Sequence, residues 1–589
     1  MQSSALSQGH YFKETIVSSD TLNYDRCSLS LPPACVILRA AYDWRLVMRK
    51  MSRIRRPLLW LLCFVSMAAF TFVRTWAAGE TPPGVTALGD GMYSLPSANI
   101  PESKSAPEAQ PGGKALADGI YTLPAERIQS IDRASIIQEG MKAFRAANYP
   151  LAAERFETIT NAAKDDWQAF SWLGGARLKA GQPELAEKAF RKALKIKPNT
   201  ADIHSNLGAT LIALKQPAEA ETELTEALRL KPELADAHYN LGNLQANSGR
   251  LDSAIQHYQA ALKANSSNTA ALNNLGLALL QKGQLLEAIK VLREAVRLAP
   301  AQTAYRYNLA LALSRAKKPA DAIIELQSLV KTDPKDFAAL MLLGSLLYQQ
   351  GEAAKAAETF TAALALQPED FVAQYGLARA LVRAGQFDLA EKSFQKAAEL
   401  DPKNSAALLD FAAFYVARGK LEPAQEVLLK ALLAAPDSYE AQFNLAVIYG
   451  RLGKFADAEK TWMALCKQRP TDPKVVEGLA QLYFDNNKTD LARDQYFQLL
   501  KLQPKNALAH HNLGLIFEGY GDLETAKTEF QMAAAVSPKF ASAHNNLGVI
   551  YEKQGDVERA RAAYQKALSI QPNFPEAKKN LERLTAKPS

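Results

Sequence analysis

Seven asparagines keep a single phase along this chain. Asn206, Asn240, Asn274 and Asn308 stand 34 residues apart in an unbroken run, and Asn444, Asn512 and Asn546 fall at the same phase further on. A carboxamide offers both a donor and an acceptor, so a row of them can grip the backbone of an extended peptide without reading its side chains. Aromatic rings keep a second phase, one residue earlier: Tyr239, Tyr307, Tyr375 and Phe443 recur every 68 residues. Rings of this kind supply contact area at low entropic cost and can serve as anchors. Each pattern also has a plainer reading. The asparagines would face water, and the rings would pack helix against helix after a 68-residue duplication. The row breaks at Leu342, Gly376, Asp410 and Gly478, so its middle binds differently or not at all.

No other constellation points to chemistry. His204, His238, His510 and His544 share a third phase, which marks a repeated structural position and not a cluster. His510–His511 is the only adjacent pair, and no zinc-ligand spacing surrounds it. Gly112-Gly-Lys114 lacks the distant glycine and the Ser/Thr of a phosphate loop. The expectation is a protein without catalysis, metal or cofactor. The 69 basic and 61 acidic residues give a net +8, but residues 1–78 hold ten basic and four acidic of these. The remainder carries 59 against 57, so a nucleic-acid partner is not expected and a protein or peptide partner is. Four cysteines cannot staple 589 residues.

The elements that must position these side chains follow from a 34-residue clock. Position 1 falls at Arg133, Trp167, Ala201, Ala235, Thr269, Thr303, Phe337, Phe371, Ser405, Tyr439, Pro473, Ala507 and Ala541, and thirteen units run to Phe574 without insertion or deletion. Position 8 is Gly or Ala in all thirteen, and position 20 is always alanine, from Ala152 to Ala560. Small residues at both places let two helices approach closely. Position 15 is glycine in nine units, supplying a left-handed turn between the helices. Position 32 is proline in eleven, which stops the second helix; Lys164 and Ser266 are the exceptions. Large apolar residues at positions 7 and 24, such as Leu275 with Leu292, fill the space between. A unit of this kind cannot bury its apolar face alone, so units must stack.

This pattern resembles the tetratricopeptide repeat over about three quarters of the chain. The resemblance implies an all-α fold, an α-solenoid coiled as a right-handed superhelix of about thirteen helix-turn-helix repeats. Residues 133–574 would form the repeats, and residues 575–589 a polar capping helix and tail, with Glu582 at the small position. In the family, positions 2, 5, 6, 9, 12 and 13 of the first helices face a concave groove. The resemblance therefore puts the asparagines (position 6) and the aromatics (position 5) in that groove. The asparagine row is similar to the ladder in the superhelix of O-linked N-acetylglucosamine transferases, and the expectation is that no catalytic domain follows it. The family's carboxylate clamp for chaperone tails is absent: Asn243 holds position 9, but Tyr239 stands where lysine belongs, and Ala270 and Ala304 hold position 2 in the next two units.

Upstream lies a targeting pattern. Met51-Ser-Arg-Ile-Arg-Arg56 is a basic head, residues 58–73 are uncharged and mostly apolar, and Ala77-Ala-Gly79 is a small-residue exit. Residues 48–79 read as a secretory signal peptide, or as a membrane anchor if uncleaved. Residues 1–47 precede it as a possible upstream extension, with Met48 or Met51 as alternative starts. Residues 80–132 form a Pro/Gly-rich linker. Within it, residues 87–96 (Ala-Leu-Gly-Asp-Gly-Met-Tyr-Ser-Leu-Pro) recur as residues 115–124 (Ala-Leu-Ala-Asp-Gly-Ile-Tyr-Thr-Leu-Pro). Asp-Gly signals a turn, and the residues after it favour an extended chain. The copies are a duplicated spacer or a two-copy docking motif. The functional expectation is an exported scaffold, periplasmic or extracellular, binding an extended segment. Its alternative is an inner-membrane-anchored assembly component of an envelope machine for pilus biogenesis or polysaccharide export.

Overall fold

The computed structural model describes residues 133–586. Residues 1–132 lie outside this range, and with them the signal or anchor, the linker and the duplicated segment. The described residues form 27 α-helices and no strand, paired in sequence order as helix, tight turn, helix. Their bounds keep the clock. Each first helix begins at position 1, as in Ala235–Asn247, and each second helix occupies positions 17–30, as in Leu251–Ala264. The solenoid is therefore all-α, thirteen helical hairpins and the helix Pro575–Ala586. It falls into two compact units, residues 133–368 and 369–586. No helix among the described residues is long and apolar enough to cross a membrane.

Local chemistry sets each boundary. At seven first helices an Asp, Asn or Ser at position 34 of the preceding unit accepts the backbone N–H at position 3; Asp166, Asn268 and Asn404 are examples. This satisfies one of the orphan donors of the helix start. Position 15 is left-handed in every unit, and the four that lack glycine adopt it too: Ala147, Lys215, Lys317 and Asn487 have φ between 56° and 59°. The second helices end at position 30, and the next residue turns extended, Lys197 at φ −133° and ψ 85°, as proline at position 32 demands.

The core is a seam between paired helices. The alanine at position 20 is 0% exposed in all thirteen units, so no larger side chain fits there. A Cβ on the position-8 glycine would stand 2.6 Å from Phe156 at Gly140, 2.4 Å from Leu292 at Gly276 and 2.5 Å from Tyr564 at Gly548. Position 24 thus fills the notch that position 8 leaves, and this interlock fixes the depth of each hairpin. Beyond Phe574, the helix Pro575–Ala586 buries Ala577 and Leu584, the latter packing with Tyr564.

Candidate functional site

The recurring histidines at position 4 prove to be clips. Nε2 of His204, His238, His510 and His544 lies 2.8–3.2 Å from the proline carbonyl at position 32 of the preceding unit. A carbonyl only accepts, so Nε2 carries the proton. Nδ1 of His204 then meets the Glu223 carboxylate at 2.6 Å. Burial opposes protonation of His204, but Glu223 and the Pro198 carbonyl outweigh it and hold its pKa above the usual histidine value. In the next unit His257 replaces the glutamate, and the two Nδ1 atoms of His238 and His257 stand 2.9 Å apart. Burial and the neighbouring His238 push His257 down. In the units of His204, His238 and His510 these contacts tie the first helix to the turn before it and to its own second helix.

Four asparagines of the row, Asn274, Asn308, Asn512 and Asn546, bond the first helix of the unit before. Asn308 Nδ2 donates to Asn273 Oδ1 at 2.8 Å. Asn546 Nδ2 meets His511 Nε2 at 3.0 Å, and Asn580 Nδ2 donates to Asn545 Oδ1 at 3.1 Å. In all three, position 6 of one unit reaches position 5 of the unit before. A second arrangement occurs twice. Asn274 Nδ2 donates to Asn243 Oδ1 at 2.8 Å, and Tyr258 donates to the same oxygen at 2.8 Å. Asn512 Nδ2 lies 2.7 Å from the Tyr496 hydroxyl and 3.4 Å from Gln481 Oε1, to which Tyr496 donates. Each time an amide at position 9, a tyrosine at position 24 and the next asparagine close a triangle. Burial pushes the Tyr258 and Tyr496 phenols up, so both stay neutral donors.

The expected groove residues differ in what they present. Asn240, Asn274, Asn308 and Asn546 are half-buried, whereas Asn206, Asn444 and Asn512 are each only 3% exposed. Tyr239 and Phe443 are core residues, 4% and 1% exposed, with Phe443 edge-on to Trp462 at 4.9 Å. A ring so enclosed offers a ligand no surface. Tyr307 and Tyr375 are half-buried. Tyr375 donates to Asp410, which replaces asparagine at position 6, and stacks on Phe371 at 5.8 Å. The breaks in the row have causes: Asp410 serves Tyr375, and a Cβ at Gly478 would stand 2.4 Å from the Trp462 ring. On the helix Pro473–Asp485, burial holds the carboxyls of Glu477 and Asp485 above the usual range.

Sequence reasoning missed the partners of the row, namely Asn243, Asn273, Gln481, His511 and Asn545. The signal for them was a polar residue 31 or 35 places before each asparagine. Among the described residues no group of three or more His, Cys, Asp or Glu could hold a metal ion.

Comparison with known sequences matches residues 130–329 to the family described as the cilia and flagella-associated protein 70 C-terminal domain. Tetratricopeptide repeat families match residues 307–371, 372–392, 383–438, 440–472 and 541–574, and a TPR repeat family matches 480–519. The match at 541–574 coincides with one unit of the clock. No curated protein sequence matches significantly. Among solved structures, the APC/C hetero-tetramer Cut9–Hcn1 is 16% identical, covering 78% of this chain and 98% of that one at TM-score 0.31. Pseudomonas aeruginosa PilF is 24% identical, covering 35% and 95% at TM-score 0.32. YrrB, described as a TPR protein with an unusual peptide-binding site, is 23% identical, covering 32% and 97% at TM-score 0.29. What those proteins bind belongs to them.

Proposed function

We propose that this chain, which is a tetratricopeptide repeat protein, is a non-catalytic scaffold that holds an extended segment of a partner protein against its first helices. Such repeats in general act through protein partners. The observation that carries the reading is the line Asn240, Asn274 and Asn308 in the unit 133–368. All three are half-buried, and each retains hydrogen-bonding capacity. The Asn240 side chain makes no hydrogen bond among the described residues; Asn308 uses one N–H, and Asn274 donates to Asn243 and Tyr239 while its oxygen accepts from Asn273. The Asn240 and Asn308 carboxamides can still give and take one bond each with a peptide backbone, and Asn274 can accept one, which suits binding by shape and backbone over side-chain sequence. Tyr307 is the position-5 ring that would support such a ligand; Tyr239 supports the helices beneath it.

Asn240→Ala separates binding from stability. Screened against short unstructured peptides, the variant should lose about tenfold in affinity for peptides that bind the native chain. Its melting should not change. Equal affinity would remove the row from the binding site. The same reading places the protein outside the cytoplasm, led by residues 48–79 as signal or anchor. A fusion of residues 48–132 to a reporter active only after export tests this, and a stable but silent fusion refutes it.

A further inference from the structure

The inter-helix bond made by Asn274, Asn308, Asn512 and Asn546 is missing at Asn240. Position 5 is Ser171 in the helix Trp167–Lys179 and Ser205 in the helix Ala201–Ala213. Where position 5 is Asn273, His511 or Asn545, it bonds the next asparagine. Both serine hydroxyls lack any hydrogen-bond partner, although Ser171 is 0% and Ser205 2% exposed. A serine is too short to cross to the neighbouring helix. The consequence falls on Asn240, opposite Ser205, whose amide is left unengaged. The Trp172 indole N–H at position 6 is likewise unpartnered. Position 9 adds no bulk here, being Gly175 and Ala209 where the next unit has Asn243. Ser171, Ser205 and Trp172 are enclosed, so the half-buried Asn240 amide is the group here that a ligand can still engage.

We infer that residues 115–124, the second copy of the duplicated segment, are that partner and lie in cis across these first helices. The inference rests on the reading of the asparagine row as a backbone grip. Three arguments favour this occupant. The first is reach: eight residues separate Pro124 from Arg133, a span of at most about 30 Å. Neighbouring helices pack roughly 8–10 Å apart, so the segment reaches the opening helices of the solenoid. The second is backbone chemistry. Ile120-Tyr-Thr-Leu123 has the composition of an extended chain and contains no proline, so each residue carries a backbone N–H that an amide row could hold. The third is charge: Asp118 complements Arg145, which stands at position 13 of the first unit. A tether this short gives an effective concentration in the millimolar range, so weak intrinsic affinity suffices. The first copy, 28 residues further back, keeps a longer leash. The scaffold would carry its own competitor, which a partner must displace.

The test uses the full chain with residues 115–124 replaced by Gly-Ser of equal length, and a synthetic peptide of the 115–124 sequence as probe. The peptide should bind the replaced chain about tenfold or more tighter than the native chain, whose face is already occupied. Adding Asn240→Ala to the replaced chain should weaken the peptide about tenfold. Amide exchange over the helices Trp167–Lys179 to Ala235–Asn247 should be slower in the native chain and unaffected by its concentration. No binding to the replaced chain, or equal binding to both, overturns the inference. Concentration-dependent protection overturns the cis assignment in favour of a second copy. If other extended peptides bind the replaced chain through Asn240 and this one does not, only the occupant is wrong. If none binds, the scaffold reading falls as well.

Discussion

His511 should make the last repeats sensitive to acid, and replacing it with asparagine should abolish that sensitivity. The imidazole is 8% exposed, between Phe530 at 5.6 Å and Phe540 at 4.8 Å. Its Nδ1 faces Asn512 Oδ1 at 3.3 Å, and its Nε2 faces Asn546 Nδ2 at 3.0 Å. A neutral ring with the proton on Nδ1 satisfies both contacts. A second proton would set N–H against N–H at Asn546, whose oxygen already accepts from Asn545. Burial accordingly pushes the His511 pKa down to about 4 from 6.5, the Asn512 contact opposing it only in part. The unfolded chain takes up its proton below about pH 6.5 and the folded chain only near 4. Stability is thus complete above 6.5 and falls as the pH is lowered through this window. At about 1.4 kcal/mol per pH unit, the loss is about 2 kcal/mol by pH 5 and levels off near 3 kcal/mol below pH 4. In H511N the position-5 asparagine can accept from Asn546 as Asn273 and Asn545 do from their partners. The variant loses ring packing by an amount that does not depend on pH. The assay is local opening of the helices Ala507–Tyr520 and Ala541–Lys553 by amide exchange, corrected for intrinsic rates, in both proteins from pH 7 to 4.5. With seven histidines in the chain, carbon-13-labelled imidazoles also resolve the titration directly. A native-minus-variant difference that stays constant with pH, or a His511 resonance titrating near 6.5, would refute the reasoning.

Further predictions follow from the same contacts. Lys215→Gly and Lys317→Gly should each stabilise their hairpin by roughly 0.5–1 kcal/mol in local amide exchange, because φ near +57° strains a lysine and not a glycine. Gly276→Ala should cost about 1–3 kcal/mol, since its Cβ would meet Leu292 at 2.4 Å; an unchanged melting profile would mean the seam is looser than described. Asn274→Ala should destabilise by about 1 kcal/mol through loss of the Asn243 bond, whereas Asn240→Ala should leave melting unchanged.

The sequence by itself determined the fold. A 34-residue period without insertion, alanine at position 20, a small residue at position 8 and proline at position 32 are local, steric requirements, and each can be read one unit at a time. The left-handed turn at position 15 belongs here too, although Ala147 and Lys215 hold it without glycine because the flanking helices leave the chain no other course. What tertiary structure alone decided is where each polar group points its bonds. Asn240, Asn274 and Asn512 are identical in type and phase. Yet Asn512 is enclosed by Tyr496 and Gln481, Asn274 closes a triangle with Asn243 and Tyr258, and Asn240 is unengaged. The difference lies in residues 31 and 35 places earlier, on a neighbouring helix that only stacking brings within reach. Phe443 shares its phase with Tyr307, but the pairing with Trp462 draws it into the core. Periodicity fixes which face a side chain leaves from; the hydrogen-bond and packing partners across the seam fix whether anything is left for a ligand.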